Sequence, residues 1–459
     1  MPIQNFPAQL QPIIQQGFLA REFQNGLRSR LTYRAIADRM PFPNRIGETI
    51  TATRRGLKTP VTSPLNPTAN TNFDNGLTPT DWSVEQYTLT INQYGDTIDL
   101  NMVTEGVGIA GQFMVNAEVN GVQAMQSLDR IARNALFGGN GGGVGGYLGG
   151  NTRVNTALGA AGKTLSVDDI RGFQTVLNAV GQVVPIGNTL GMTVTVGSNA
   201  YTLVSLAADT VNVSTAPNGV SGQLTFSTNV TTADGALAQP VIAATAPLVL
   251  RPNGRLTTAA LVAPTGQYGS GSYVPGDTLG IQTVLAAVAA LRMNNVPTVG
   301  GSYNCYLDDQ QMLGLFRDGD FKYLYRGAYG SDTYRSGSVV ELLGVRFIPT
   351  TEAPQQGSLG AGPIHRAIVC GQGALIEGDY AGMGADDGVI PDAEKSLIER
   401  VDDVVMVTRE PLDRLKQIIA QSWYWIGGYA LPTDVTANTS IIPTATNSYL
   451  KRGVVIETL

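Results

Sequence analysis

The stretch Ile46-Gly47-Glu48-Thr49-Ile50-Thr51-Ala52-Thr53-Arg54-Arg55 decides how the chain is read. Thr and Ile recur in partial alternation, the pattern of a strand. From Thr59 to Thr80 the residues are mostly Pro, Asn, Thr and Gly, with little to bury. Alternation resumes at Tyr87, Leu89 and Ile91, and Ile98 and Leu100 follow past Gly95. Two β segments flanking a long polar tip predict an extended hairpin arm. A two-stranded ribbon is marginally stable alone in water. The arm therefore calls for a covering surface, and another subunit is the simplest source.

Downstream of the arm the periodicity changes. From Gly106 to Phe137, residues Ala110, Phe113, Ala117, Gly121, Ala124, Leu128, Ile131 and Ala135 step by three or four. They predict a helix about 45 Å long, apolar along one stripe and so lying across a sheet. The run Gly138-Gly139-Asn140-Gly141-Gly142-Gly143 stops it. Upstream, Leu10, Ile13, Ile14, Phe18 and Leu27 predict an amphipathic helix in roughly the first thirty residues, and Pro41 and Pro43 end any helix after it.

Further on, Ser166-Val167-Asp168-Asp169 reads as a capping-box-like start of a helix reaching Val180. Between Gln182 and Gly276 lie the short strand candidates Met192–Val196, Tyr201–Val204, Thr210–Val213 and Leu224–Phe226. Turn signals at Asn218-Gly219 and Asp234-Gly235 separate them. This density predicts a β-sandwich or barrel inserted at 182–276. Phe173–Val180 is echoed by Ile281–Val288, which fits either paired flanks of an insertion or two unrelated amphipathic helices. The remainder is mixed α/β. Tyr303–Leu307 reads as a strand followed by a helix capped by Asp308 or Asp309, with strands at Val339–Ile348 and Ala367–Cys370. The heavy Trp423-Tyr424-Trp425 run marks a central strand within Leu415–Tyr424 and beyond.

Composition narrows the function classes. Of 459 residues only 14% are charged, against roughly 25% in average soluble domains, while 43% are hydrophobic, enough for a real core. One histidine, His365, and two cysteines, Cys305 and Cys370, are too few for a His/Cys-rich metal site or a disulfide framework. A serine triad would need His365, and no nucleophile-elbow motif accompanies it. No catalytic, cofactor or metal residues are assigned, and no enzyme activity is expected. Ala157-Leu158-Gly159-Ala160-Ala161-Gly162-Lys163-Thr164 matches a permissive phosphate-loop pattern. It lacks the preceding strand, and the predicted helix begins only at Ser166, so nucleotide binding is rejected. The acids Glu377, Asp379, Asp386, Asp387, Asp392 and Glu394 do not follow the EF-hand spacing and read as a solvated loop. Met1-Pro2-Ile3-Gln4-Asn5-Phe6 lacks signal-peptide features. The apolar stretch from Leu279 to Leu291 is shorter than the ~18–20 residues of a membrane span, so a soluble protein is expected.

Charge is unevenly placed. Through Lys58 there are nine basic and three acidic side chains, a balance of +6, so the overall −6 leaves −12 to the rest. A basic arm on an acidic body suits contact with nucleic acid or with the acidic body of a neighbouring copy.

The order of these parts resembles the major capsid proteins of tailed bacteriophages, which share the Hong Kong 97-like fold. Local similarity to a podovirus-type capsid family is carried by Asn92-Gln93-Tyr94-Gly95-Asp96-Thr97-Ile98-Asp99-Leu100, with echoes in Glu341–Ile348 and Val369–Leu375. The resemblance implies an α+β chain divided into an N-terminal arm (1–45), an extended loop (46–105), a spine helix with the start of a peripheral domain (106–181), an inserted β-sandwich or Ig-like domain (182–276) and the remaining peripheral and axial domains (277–459). It also implies hexamers and pentamers closing into an icosahedral shell around double-stranded DNA, held without sequence specificity, in a virion assembled in the host cytoplasm. Expected partners are other copies, a separate scaffolding protein, a portal and, in some relatives, a decoration protein; no membrane and no cofactor are implied. Arg54, Arg55 and Lys58 are expected to meet acidic surface on the adjacent copy. Lys58, the arm's lysine, is the donor candidate for the Lys–Asn cross-link of some relatives, although a solvated or ion-paired lysine is the expected reading. A nanocompartment shell of the same fold and a β-rich glycan-binding or adhesin-like protein are the alternatives.

Overall fold

The computed structural model describes residues 32–42, 47–62, 82, 84–101, 112–138, 146–178, 182–209, 219–266, 271–328, 341–356, 362–380, 398–409, 417–433 and 450–459. The expected N-terminal amphipathic helix, most of the polar tip and the strand expected at Thr210–Val213 lie outside these residues. The chain is α+β and divides into two compact units. One comprises Met1–Ile50, Leu89–Ala132 and Ile376–Tyr429, the other Thr51–Thr88, Arg133–Leu375 and Ala430–Leu459.

In the first unit a six-stranded sheet has the order β1 (Ala37–Phe42), β19 (Leu375–Tyr380), β22 (Ile418–Ala430), β21 (Val404–Arg409), β20 (Ile398–Val401), with β4 (Asn92–Asn101) also paired to β22. The aromatic strand β22 is central, as its mass suggests: it runs antiparallel to β4 from Ile418↔Asn101 to Gly427↔Asn92. Its Gln421, Trp423 and Trp425 are buried. Helix α1 (Gln112–Gly138) crosses this sheet. Asn120 Nδ2 donates to the Gln421 carbonyl at 3.1 Å, and Trp423 Nε1 donates to Gln123 Oε1 at 3.2 Å. Small residues on the inward stripe, Ala117 and Ala124, let the helix backbone come close to the strands. At 27 residues the helix is about 40 Å long.

In the second unit a six-stranded antiparallel sheet has the order β5 (Asn151–Arg153), β12 (Pro240–Ala243), β9 (Met192–Val196), β10 (Asn199–Ala208), β11 (Gly222–Val230), β6 (Gly162–Val167). Its two ends meet. Val154 bridges Val167, Asn155 N–H donates to the Ser166 carbonyl at 3.0 Å, and Asp168 N–H to the Arg153 carbonyl at 3.3 Å. The sheet is thus a closed barrel, filled by Leu165, Val194, Leu203, Phe226 and Val241 among others, and closure removes the exposed edges. Two expectations are corrected here. The β module takes the barrel form of the two expected, not the sandwich or Ig-like one, and it spans Asn151 to Ala243 rather than 182–276. The helix expected from Ser166 is strand β6, because Leu165 and Val167 alternate into the barrel core. Asp169 turns the chain instead, accepting from Arg171 N–H (3.0 Å) and Val220 N–H (3.2 Å). Beyond it, Thr175–Leu177 is a strand, β7, paired with β8 (Val183–Pro185), whereas Ile281–Met293 is helix α2. The echo between these segments is therefore not a structural repeat.

One aspartate organises the end of the barrel. Gly197, at φ +59°, opens the two-residue turn between β9 and β10, where a Cβ would sit 2.8 Å from Asp234 Oδ1. Asp234 accepts from Ser198 N–H, Asn199 Nδ2, Tyr201 Oη and Thr231 Oγ1. Burial alone would raise its carboxyl; these donors hold it down at about 2. Asp234→Ala is expected to destabilise the protein by about 3 kcal/mol, since hydrogen bonds to a charged group contribute ~1.5–3 kcal/mol each and lost ones strand their donors. A shift in the thermal midpoint measures it, and Asp234→Asn should recover part of the loss.

The second sheet of this unit has the order β13 (Val249–Leu250), β23 (Gly453–Thr458), β18 (Ile364–Cys370), β14 (Tyr303–Leu307), β16 (Val345–Pro349), β15 (Glu341–Leu342), with β17 (Gln355–Gln356) on β18. Every residue of β14, β18 and β23 is buried, the mark of strands covered on both faces. Their core is shared with Ile281, Val284, Val288 and Leu291 of α2 and Leu315 of α3 (Asp309–Arg317). Asp308 is the N-cap of α3 and forms a capping box with Gln311. Helix α4 (Gly319–Ala328) follows.

Candidate assembly surface

Strands β2 (Thr49–Arg55) and β3 (Val84–Thr90) form a separate two-stranded sheet, part of the hairpin expected from the sequence; Ile98 and Leu100, expected on the arm, lie instead on β4, paired with β22. Its base is tied by Ile91 N–H to the Glu48 carbonyl at 2.9 Å. No residue of β2 is buried; exposed and half-buried positions simply alternate. Large apolar side chains stand open on or beside the strands: Leu57 (52% exposed), Val61 (87%) and Trp82 (47%). On β3, Tyr87 and Leu89 are buried, and two such side chains do little to offset the ordering of the ribbon's backbone.

The three basic residues expected to act on this arm have different surroundings. Arg54 Nη1 donates to the Pro432 carbonyl at 3.2 Å. The Arg55 guanidinium lies 5.7 Å from the Trp82 ring centroid, a cation–π contact. Lys58 is exposed.

The other residues singled out from sequence have structural roles. His365 is buried, with Nδ1 against Asp308 Oδ2, the carboxylate that caps α3. Lys163 and Thr164 sit in strand β6, exposed, so no helix N-terminus gathers amides for a phosphate. Glu377 is buried against Arg34 (Nη2–Oε1 2.6 Å), and Asp379 stands 3.9 Å from Arg400; the other four acids of that cluster lie outside the described residues. Among the described residues no three His, Cys, Asp or Glu side chains are grouped to hold a metal ion. Cys305 and Cys370 are both fully buried, and burial pushes the Cys305 thiol up to about 12 and Cys370 higher still, with Cys305 adding to the latter. Both should therefore resist a thiol reagent in the native protein and react in denaturant, as counted by colorimetric titration; one rapidly reacting native thiol would contradict this.

One constellation has no signal in the sequence. Arg34 bonds Glu377 through Nε and Nη2 and reaches Asp403 Oδ2 at 3.0 Å; Arg39 also pairs with Asp403. The Arg34 guanidinium lies 5.9 Å from the Trp425 ring, which stacks on Tyr94 and Tyr429. Just before it, Asp129 of α1 accepts from the backbone N–H groups of Thr32, Tyr33 and Arg34 at 2.9, 2.8 and 3.2 Å. Burial would raise the Asp403 carboxyl, but the hydrogen bond from Arg39 and the charges of Arg34 and Arg39 hold it below its ordinary value. These contacts moor residues 32–42 to the first unit.

No helix among the described residues is long and apolar enough to cross a membrane. No family model matches the chain, and no curated protein does. Among solved structures, the chain is similar to the capsid of Ralstonia phage GP4 (11% identity, 94% of this chain and 88% of that chain, TM-score 0.48) and to the Cyanophage Pam1 capsid (10%, 94% and 92%, TM-score 0.48). It is also similar to the capsid of Cyanophage P-SCSP1u, at 10% identity over 94% of this chain and 89% of that one, with a TM-score of 0.46.

Proposed function

We propose that this chain is a major capsid protein of a tailed bacteriophage with the Hong Kong 97-like arrangement, a structural protein rather than an enzyme. In this reading β2–β3 is the extended loop, α1 the spine helix, and the barrel a module inserted in the peripheral domain. Copies join as hexamers and pentamers into an icosahedral shell around double-stranded DNA, with scaffolding, portal and decoration proteins as partners, and the shell assembles in the host cytoplasm. The observation that carries the reading is the arm: a hairpin whose β2 strand has no buried residue, bearing Leu57, Val61 and Trp82 in the open. Laid on a neighbouring copy, it would bury that apolar surface at about 25 cal/mol per Å². Many such contacts in one closed particle reinforce each other.

Electron microscopy of the expressed protein, alone and with the candidate scaffolding protein, tests this. Closed shells are expected; a monodisperse monomer under every condition would overturn the reading. Nucleic acid inside the particles separates a viral shell from an enzyme-packaging compartment. In the same assay, Arg54→Glu with Arg55→Glu is expected to cut the assembled fraction at least tenfold while leaving the circular dichroism spectrum unchanged. Unchanged assembly would remove these arginines from the contact.

A further inference from the structure

Helix α1 has an apolar face turned away from its sheet. Ala117 and Ala124 lie on its buried side. Val115, Val119 and Val122 lie on the opposite one, at the i, i+4, i+7 spacing of a single stripe. Val115 and Val119 are each 49% exposed, and Val122 is half-buried. Valine is a poorer helix former than Glu, Lys or Gln, so neither propensity nor solvation accounts for three of them there. Single exposed apolar side chains are ordinary, whereas contiguous ones point to a contact.

The chain itself arrives at the end of this stripe. Seven residues past Val122, two turns on and back on the same side, Asp129 accepts from Thr32 N–H and Oγ1 at 2.9 and 2.7 Å. Met1–Ile50 belongs to the same compact unit as α1 up to Ala132. Residues 1–31 lie outside the described residues. The part next to the anchor repeats Leu19, Phe23, Leu27 and Leu31 at every fourth position, with Arg21, Arg28 and Arg30 between them, the spacing of one helix stripe. A helix over residues 19–31 is about 20 Å long, and the rise along α1 from Val115 to Asp129 is about 21 Å. Gly26 weakens such a helix in isolation, so a surface to pack on is what would hold it.

We propose that residues 19–31 form a helix packed on α1 of the same chain, parallel to it and ending at Asp129, with Leu19, Phe23 and Leu27 over Val115, Val119 and Val122. The contact lies within one chain, so it stands or falls apart from the capsid reading. Limited trypsin digestion of the purified full-length chain, read by mass spectrometry at Arg21, Arg28 and Arg30, tests it. Val115→Glu with Val119→Glu should speed cleavage at these sites at least tenfold and leave cleavage elsewhere unchanged. Equal rates in the wild type and the variant would overturn the proposal. A second variant identifies the chain that covers the stripe. Phe23→Cys with Val119→Cys, oxidised with copper phenanthroline, should give a disulfide within one chain, since the native Cys305 and Cys370 are fully buried. A cross-link joining two chains would assign the stripe to a neighbouring copy, and no cross-link would leave it uncovered; either result overturns the proposal.

Discussion

Arg34→Ala is expected to lower the stability of the first unit by about 3–5 kcal/mol, the range for removing one partner of a buried ion pair. The side chain is 6% exposed, and its loss leaves Glu377, 4% exposed, without a counter-ion. Asp403 would keep Arg39, so the damage should concentrate on Glu377. Arg39→Ala is the control. That arginine is 52% exposed, and exposed pairs contribute ~0–1 kcal/mol. Denaturant unfolding can be followed by tryptophan fluorescence, because Trp425 lies beneath the Arg34 guanidinium. Equal effects of the two substitutions would show that burial does not govern this cluster.

A loss of similar size, about 3–5 kcal/mol, is expected for Glu457→Ala, which strands Arg251 and Arg366 around a fully buried position. Here pH supplies a second readout. Burial would raise the Glu457 carboxyl, but the charges of Arg251 and Arg366 and their hydrogen bonds hold it below its ordinary value. A depressed folded value stabilises the protein above the unfolded pKa, about 4.3. That contribution fades as pH falls from there through the folded value. Wild-type thermal midpoints should therefore drop below about pH 4 more steeply than those of Glu457→Gln. Parallel profiles would assign the acid sensitivity to other carboxylates.

Local pattern was legible where one face of an element is buried and the other is not. The alternation of Met192–Val196 matches β9 residue for residue, and the stripe from Ala117 to Ala135 located α1. The arm was legible for the opposite reason, since Thr59 to Thr80 has little to bury. Misreading began where short-range signals conflict with long-range pairing. Ser166-Val167-Asp168-Asp169 carries helix-start chemistry, yet Leu165 and Val167 are claimed by partners on β11, at Leu224 and Gly222. The barrel's first strand is the polar triplet Asn151-Thr152-Arg153, which no periodicity marks, and so its start was placed some thirty residues late. For the basic arm, Arg54 and Arg55 were visible as charges, but the stacking of Arg55 on Trp82 joins residues across the polar tip. The Arg34 cluster was out of reach altogether: Glu377 and Asp403 lie 343 and 369 residues further along the chain.

The barrel leaves the chain where it enters it. Ala243 N–H donates to the Gly150 carbonyl at 2.8 Å, and the first and last strands, β5 and β12, are neighbours. A segment whose two ends are already stapled together behaves as a cassette: it can be shortened, exchanged or made to carry a fused peptide without rerouting the polypeptide on either side. Engineering of this chain should therefore cut at positions 150 and 244, leaving both flanks on their original tracks.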